Sequence, residues 1–415
     1  MKVAEKHFRT IWPDTRCKFV EIIDQTKLPF AFETVQIDSL DKMVHAIKTM
    51  QVRGAPLIGV AAAYGMALAM LEDDSDVNLH LAANALINSR PTAVNLAWSV
   101  GRMVAALQGI PNLRNLTAWR EAAAIAEEDV AQNKAIGQHG LDLIKALVAA
   151  RASEGACATT TANPSQAVTM DENARAAKTP SPSQGESWGG GEYGREGEYS
   201  HRDDDKTYAT AFNILTHCNA GWLATVDFGT ALAPIYAAHD AGLNVHVWVS
   251  ETRPRNQGAF LTAWELAQHG VQHTVITDNA GGHLMQQGLV DMVIVGADRV
   301  TANGDVCNKI GTYLKALAAF DNNIPFYAAV PTPTIDWQMS DYKDIEIEER
   351  NSDEVAYIQG LVADGSLQNV RVTPLESSAV NPAFDVTPAR LVTGIITEQG
   401  VYLPNELLAK IKNLT

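Results

Sequence analysis

From residue 209 onward, short apolar, β-rich runs alternate with segments of helical length: FNILTHC, NVHVWVSE, HTVITD, MVIVGADRV and FYAAVP. Runs apolar on both faces belong in a sheet covered on both sides, and the spacers supply the crossovers that parallel strands require. The expected fold is therefore α/β, with a doubly wound parallel sheet over residues 208–415. Ligands in such sheets bind outside the carboxyl ends of the strands. The residues that end each run are the first to inspect for chemistry.

The first half has a different texture. Residues 18–37, KFVEIIDQTKLPFAFETVQI, read as two strands about a Gln-Thr-Lys-Leu-Pro connection, a β-hairpin. Ser39 is placed to cap LDKMVHAIKTM, APLIGVAAAYGMALAML is small and apolar all round, and residues 116–150 keep helical spacing past Gly137 and Gly140. Residues 1–150 are thus expected to form a helix-rich domain with a small hairpin. Between the halves, residues 151–207 read as a disordered, low-complexity insertion. Val168 is the only Leu, Ile, Val or Phe in residues 152–206, too little apolar surface to offset the entropy of ordering. Its GGGEYG matches a dinucleotide-loop pattern in form only, with no strand before it and no helix after it. The acidic run at 203–205 reads as a solvated charge cluster.

A formal charge of −16 argues against a general grip on nucleic acid or an anionic membrane, so any anion site must be local. Four cysteines (Cys17, Cys157, Cys218, Cys307) make no disulfide framework and show no zinc spacing. The N-terminal stretch lacks the apolar core of a secretion signal, and no apolar stretch reads as a membrane span. The expectation is a soluble, cytoplasmic protein with reduced thiols.

Two residues stand where apolar runs end. Cys218 closes NILTHC, with His217 and Asn219 beside it and a turn toward an expected helix after it. A helix N-terminus there would lower the thiol pKa, whereas a buried structural cysteine is the other reading. Asp298 follows MVIVGA, where lost solvation would raise its pKa toward proton-transfer use; a turn-capping aspartate is the alternative. Three cationic segments suit anions at helix starts: RGAPLIG with Arg53 and Gly54, RPTAVNL with Arg90, and CNKIGT with Asn308 and Lys309. SETRPRNQGAF brings Arg253, Arg255, Asn256 and Gln257 to the crevice rim, where they suit a hydroxylated ligand or form a plain exposed loop. There is no P-loop, no His-Glu-x-x-His and no dinucleotide fingerprint after a strand. Spacing alone reaches a phosphorylated, polyol-like substrate, an acid/base carboxyl and a nearby thiol, and does not name the reaction.

Several motifs read together resemble the methylthioribose-1-phosphate isomerase family, aldose–ketose isomerases of methionine salvage. They are RGAPLIGVAAAYG (53–65), SRPTAVNL (89–96), ILTHCNAG (214–221), ETRPRNQGA (251–259), GADRVTANGDVCNKIGT (296–312) and NPAFDVTPARLVTGIITE (381–398). The resemblance implies a homodimer with a Rossmann-like second domain that converts 5-methylthioribose 1-phosphate to 5-methylthioribulose 1-phosphate without metal, nucleotide or other cofactor. Carried over by motif, Asp298 is implied as proton donor or base and Cys218 as the second catalytic group. Arg53, Gly54, Ala55, Arg90, Gln257, Asn308 and Lys309 are implied as the substrate-binding set. The insertion departs from the family pattern, and a long flexible loop is tolerated because closure entropy grows slowly with length. The alternatives are a related isomerase of ribose 1,5-bisphosphate or 5-deoxyribose 1-phosphate, and a non-catalytic subunit of the initiation-factor exchange type. Retention of both Cys218 and Asp298 in full motif context argues against the last.

Overall fold

The computed structural model describes residues 1–4, 6–110, 113–160 and 207–411. Most of the expected insertion therefore lies outside the described residues. In the first half, β1 (Ile11–Pro13), β2 (Val20–Ile23) and β3 (Thr34–Ile37) form an antiparallel sheet in which β2–β3 is the expected hairpin. The side chain of Ser39 accepts from the Lys42 N–H and caps α1 (Leu40–Lys48). α2 (Ala55–Glu72) is buried along its whole length except the last two residues. A helix apolar all round must be enclosed, and α1, α3 (Asp76–Ile87), α4 (Val94–Leu107) and α5 (Arg114–Thr160) enclose it. α2 corrects one expectation, because it is long and apolar enough to cross a bilayer. Here it is the core helix of the first domain.

α5 serves two cores. Ala118, Trp119, Ala122 and Ile125 pack with α2 in the first, while Ile136, Leu141 and Ile144 pack in the second with Leu232 and Ile235. Those last two lie on α6 (Leu232–Asp240). The close approach of α5 to α6 falls at Gly140, where a Cβ would stand 2.2 Å from the Pro234 ring.

The second domain holds the expected sheet. Its strands are β4 (Phe212–His217), β5 (Val245–Ser250), β6 (His273–Ile276), β7 (Met292–Val295), β10 (Phe326–Ala329), β15 (Gly394–Thr397) and the antiparallel edge β16 (Gly400–Tyr402). The order is β16-β15-β10-β7-β4-β5-β6, and all pairs but β15–β16 are parallel. The chain builds outward from β4 through β5 and β6, then returns to the other side of β4 as β7. The winding reverses between β4 and β7, which opens a crevice at their carboxyl ends. α7 (Ala263–His269) and α8 (Ala280–Gln286) are crossover helices.

A second, four-stranded sheet stands beside the crevice: β8 (Arg299–Thr301), β9 (Val306–Lys309), β11 (Ile335–Asp336) and β14 (Phe384–Thr387), in the order β11-β8-β9-β14, and an antiparallel pair, β12 (Tyr357–Leu361) with β13 (Leu367–Arg371), precedes β14 in the chain. Two local expectations change here. Asn308 and Lys309 lie on β9, opposite Asp385 and Phe384 of β14, and not at a helix start. α9 (Thr312–Asp321) begins only after Gly311, whose φ of +100° turns the chain, and Asp385 accepts from the Gly311 and Tyr313 N–H groups. After Cys218 the chain makes a single 3-10 turn (Trp222–Ala224), and helix resumes only at Leu232. The Trp222 and Leu223 N–H groups are bound by the Glu265 carboxylate, and positive φ at Phe228 and Gly229 interrupts any helix.

Gly140→Val is expected to cost about 2 kcal/mol or more by overpacking α5 against α6. Gly101→Ala, at a site on α4 with nothing within 4 Å of the added methyl, is expected to gain up to about 1 kcal/mol from helix propensity. Thermal denaturation should shift in opposite directions for the two variants.

Candidate active site

The ends of β4 and β7, neighbours at the reversal of the sheet, carry Cys218 and Asp298. The two strand-end loops touch: a Cβ on Gly296 would stand 2.6 Å from the Ala220 Cβ. Only glycine lets the Asp298 loop lie this close to the Cys218 loop. Cys218 itself has φ +64°. Such a conformation costs a non-glycine residue energy unless its surroundings hold it, and here they do. Its N–H donates to Thr252 Oγ1 (2.8 Å), its carbonyl accepts from Thr262 Oγ1 (2.7 Å), and its thiol lies 3.4 Å from Gln257 Oε1.

The thiol is buried, and burial pushes its pKa up against the pull of Arg53 and Lys309. This reverses the expectation of a thiol lowered by a helix N-terminus, since no α-helix starts there and burial outweighs the nearby cations. Burial therefore favours the neutral S–H, which donates toward Gln257 Oε1. Beside it His217 is fully enclosed, donates from Nε2 to the Ile310 carbonyl (2.8 Å), and has its pKa pushed down to about 3 by burial and by Lys315. It is neutral too.

Burial also raises the Asp298 carboxyl, opposed in order by Lys309, Arg90 and Arg53. The backbone N–H of Asp298 donates to the Cys307 carbonyl (2.9 Å), and its carboxyl has no hydrogen-bond partner among the described residues. It is partly exposed and free to act on a ligand.

Three cations from three chain segments act on that carboxyl. Arg53, just before α2, bonds through Nη1 to Asn219 Oδ1 and through Nη2 to the Asn219 carbonyl (2.8 Å). Gly54, at φ +99°, lets this corner press on the 3-10 turn, where a Cβ would stand 2.5 Å from Ala224 Cα. Ala55 then opens α2, with Pro56 in its first turn. Arg90 sits in the turn between α3 and α4, three residues before α4's cap, and donates from Nη2 to Glu348 Oε2 (2.9 Å). Its buried Nε has no acceptor among the described residues. Lys309 is buried with Nζ 4.4 Å from the Phe384 ring centroid, and burial lowers its pKa. The structure thus gathers Arg53, Arg90, Gln257 and Lys309 with Cys218 and Asp298. Asn308 is buried, with Nδ2 donating to Thr312 Oγ1 (3.1 Å) at the start of α9.

A cleft of about 660 Å³ opens beside the cluster, with Arg53, Asn256 and Gln257 on its polar side and Leu28, Met50, Phe260 and Leu261 on its apolar side. Among the described residues, no three His, Cys, Asp or Glu side chains converge as metal ligands would.

Sequence reasoning missed two carboxylates. Glu348 holds Arg90 and also accepts from Arg350 Nη1 (2.9 Å). It lies in an acidic stretch with no strand end or motif to mark it. Glu265 backs Asn219 from α7. It had a legible signal, because it falls four residues after Leu261, on the apolar stripe of LTAWEL, where a charge must find partners.

The family model for the initiation factor 2 subunit family matches residues 51–178 and 206–404. The chain belongs to that family. Among its relatives, a methylthioribose-1-phosphate isomerase of Rhodospirillum rubrum is 54% identical over 97% of this chain and 90% of its own. Another, of Methylorubrum extorquens, is 53% identical over 97% of this chain and 95% of its own. The crystal structure of 5-methylthioribose 1-phosphate isomerase from Pyrococcus horikoshii is 35% identical with a TM-score of 0.73, covering 99% of this chain and 97% of that one. Within the wider family, the chain belongs with the methylthioribose-1-phosphate isomerases.

With its pKa raised, the Cys218 thiol is expected to react with iodoacetamide at pH 7 more slowly than a free cysteine, and faster as pH rises. Peptide mass spectrometry over time checks this, and labelling at the free-cysteine rate would show that burial does not govern the thiol.

Proposed function

We propose that this crevice isomerises 5-methylthioribose 1-phosphate to 5-methylthioribulose 1-phosphate, the aldose–ketose step of methionine salvage. The observation that carries the site assignment is the convergence of Arg53, Arg90 and Lys309 on a raised, otherwise unbonded carboxyl at the switch point of the sheet. Cations and unspent donors there suit the phosphate, and the unpaired Arg90 Nε is one such donor.

A sugar phosphorylated at O1 is locked as a cyclic acetal, so ring opening comes first and calls for a proton on the ring oxygen. Asp298, held protonated to higher pH than a solvated carboxyl, can give that proton. The bond from C1 to the ring oxygen breaks and the carboxylate remains. Hydrogen then moves from C2 to C1, and the C2 hydroxyl becomes the ketone carbonyl as its proton returns to the Asp298 carboxylate, while the neutral Cys218 thiol offers a hydrogen bond to the sugar oxygens.

The cleft favours a methylthio sugar over a second phosphate. Leu28, Met50, Phe260 and Leu261 give an apolar wall, and of the cations lining the cleft Arg53 is held by Asn219 and Arg255 is paired with Glu354 at 2.9 Å, which leaves Lys27 at the exposed edge. We further propose that the protein works as a homodimer in the cytoplasm.

Turnover followed by phosphorus NMR is expected to give the highest kcat/KM with 5-methylthioribose 1-phosphate, above ribose 1,5-bisphosphate and 5-deoxyribose 1-phosphate. A higher value for either competitor overturns the substrate assignment. Asp298→Asn should lower kcat by about a hundredfold or more with little change in KM, and normal turnover by that variant would remove Asp298 from proton transfer. Light scattering on the same preparation should return twice the chain mass.

A further inference from the structure

Glu265 lies on α7, has no accessible surface and accepts four hydrogen bonds. Oε1 accepts from Asn219 Nδ2 (2.9 Å) and the Leu223 N–H (3.1 Å), and Oε2 accepts from the Trp222 N–H (2.9 Å) and the Tyr236 hydroxyl (2.8 Å). All four donors are neutral groups. The carboxyl need donate nothing, so its acceptor-only, ionised form satisfies every one. Packing against it is close: a Cβ on Gly221 would stand 1.8 Å from Oε2. Burial nonetheless lifts this carboxyl to about 7, even with four donors pulling it down. An ionised group so deeply enclosed needs a positive partner.

That partner is one amide away. Asn219 donates through Nδ2 to Glu265 and accepts through Oδ1 from Arg53 Nη1, so the amide carries a directed line of hydrogen bonds from a buried cation to a buried anion. Because Nδ2 is committed to the carboxylate, the oxygen of the amide can only face Arg53. The guanidinium is then fixed by two acceptors from one residue, the Asn219 side chain and its carbonyl. The geometry points to Glu265 as a positioning residue that, through Asn219, sets the orientation and charge balance of Arg53 in the substrate site. This rests on Arg53 contacting substrate, as proposed above. Glu265 never reaches the cleft. Its influence on the reaction passes through a guanidinium whose remaining N–H groups are left for the ligand.

An acceptor-only carboxylate cannot be replaced by an amide without setting a donor against a donor. Glu265→Gln should therefore lower kcat/KM by about ten- to a hundredfold, mostly through KM, as a displaced binding group does. Asn219→Asp should also lose activity, since it brings two carboxylates face to face. Combining the two reverses the polarity of the line: the new carboxylate pairs with Arg53 directly and accepts from the new amide, whose nitrogen still meets the Leu223 N–H, so the recovery is partial. The double variant should recover about twofold or more in kcat/KM over either single variant, a gain expected of residues that interact directly. Tyr236→Phe removes one donor from the same carboxylate without touching the line to Arg53. It should lower the melting temperature and leave kcat/KM within about twofold.

A double variant no better than the singles overturns the positioning role, as does Glu265→Gln with parental kcat/KM and only a lower melting temperature. If Glu265→Gln does not fold, the cycle is read from Asn219→Asp, whose activity must rise when Glu265→Gln is added. Failure of the parent chain to turn over 5-methylthioribose 1-phosphate would be a failure of the proposed function instead, and is seen in the same assay.

Discussion

The contact of Arg53 with Asn219 joins the two halves of the molecule at the one place where both must be right. Arg53 enters from the helical domain and Asn219 from the loop after the first strand of the parallel sheet. A guanidinium buried at such a seam has to find acceptors, or the seam opens to water. Here the acceptors belong to the residue immediately after Cys218. Binding of a cation and placement of the thiol are thus one structural event. The glycine at position 54 belongs to the same event, because only a backbone without a Cβ lets the start of α2 settle against Ala224.

Burial sets the chemistry of this seam more than charge does. Cys218 and Asp298 each have cations nearby that would ionise them in water, yet both are pushed toward their neutral forms. Desolvation penalises the charged state of an acid whatever the sign of its surroundings, while a cation held by its own partners offers only part of its field. Arg90 shares its charge with Glu348, and Arg53 leans on Asn219. The cations can therefore remain available to an anionic ligand while burial still pushes the acid toward its protonated form. That division suits a site that must hold a phosphate and protonate a sugar oxygen within the same few ångströms.

Much of this was legible in the sequence, and for a physical reason. Apolar runs broken at Cys218 and Asp298 are local patterns, and a strand end in a doubly wound sheet is a place where side chains meet solvent and ligand. The adjacency of β4 and β7 was not legible, since strand order depends on pairing between segments far apart in the chain. VCNK was misplaced at a helix start because four residues carry too little periodicity to distinguish strand from helix until β14 is seen beside it. The segment after Cys218 was misread for a related reason. Its helical spacing is real, but the N–H groups that would have begun a helix are bound by Glu265, more than forty residues away. Glu265 itself breaks the rule that charge marks a surface, and a buried charge is recognised only once its partners are known.

α5 contributes to both hydrophobic cores along a single unbroken helix of 47 residues. A continuous helix resists bending, since its backbone hydrogen bonds would have to stretch on one side. The helical domain cannot swing as a flap on a flexible strap, because the strap is a rod embedded in both bodies. Sliding of packed helices over one another and movement of the loops at the rim are the ways of tightening the crevice around a sugar that leave this helix straight. The rod thus ties the width of the opening to the packing of one helix in two cores.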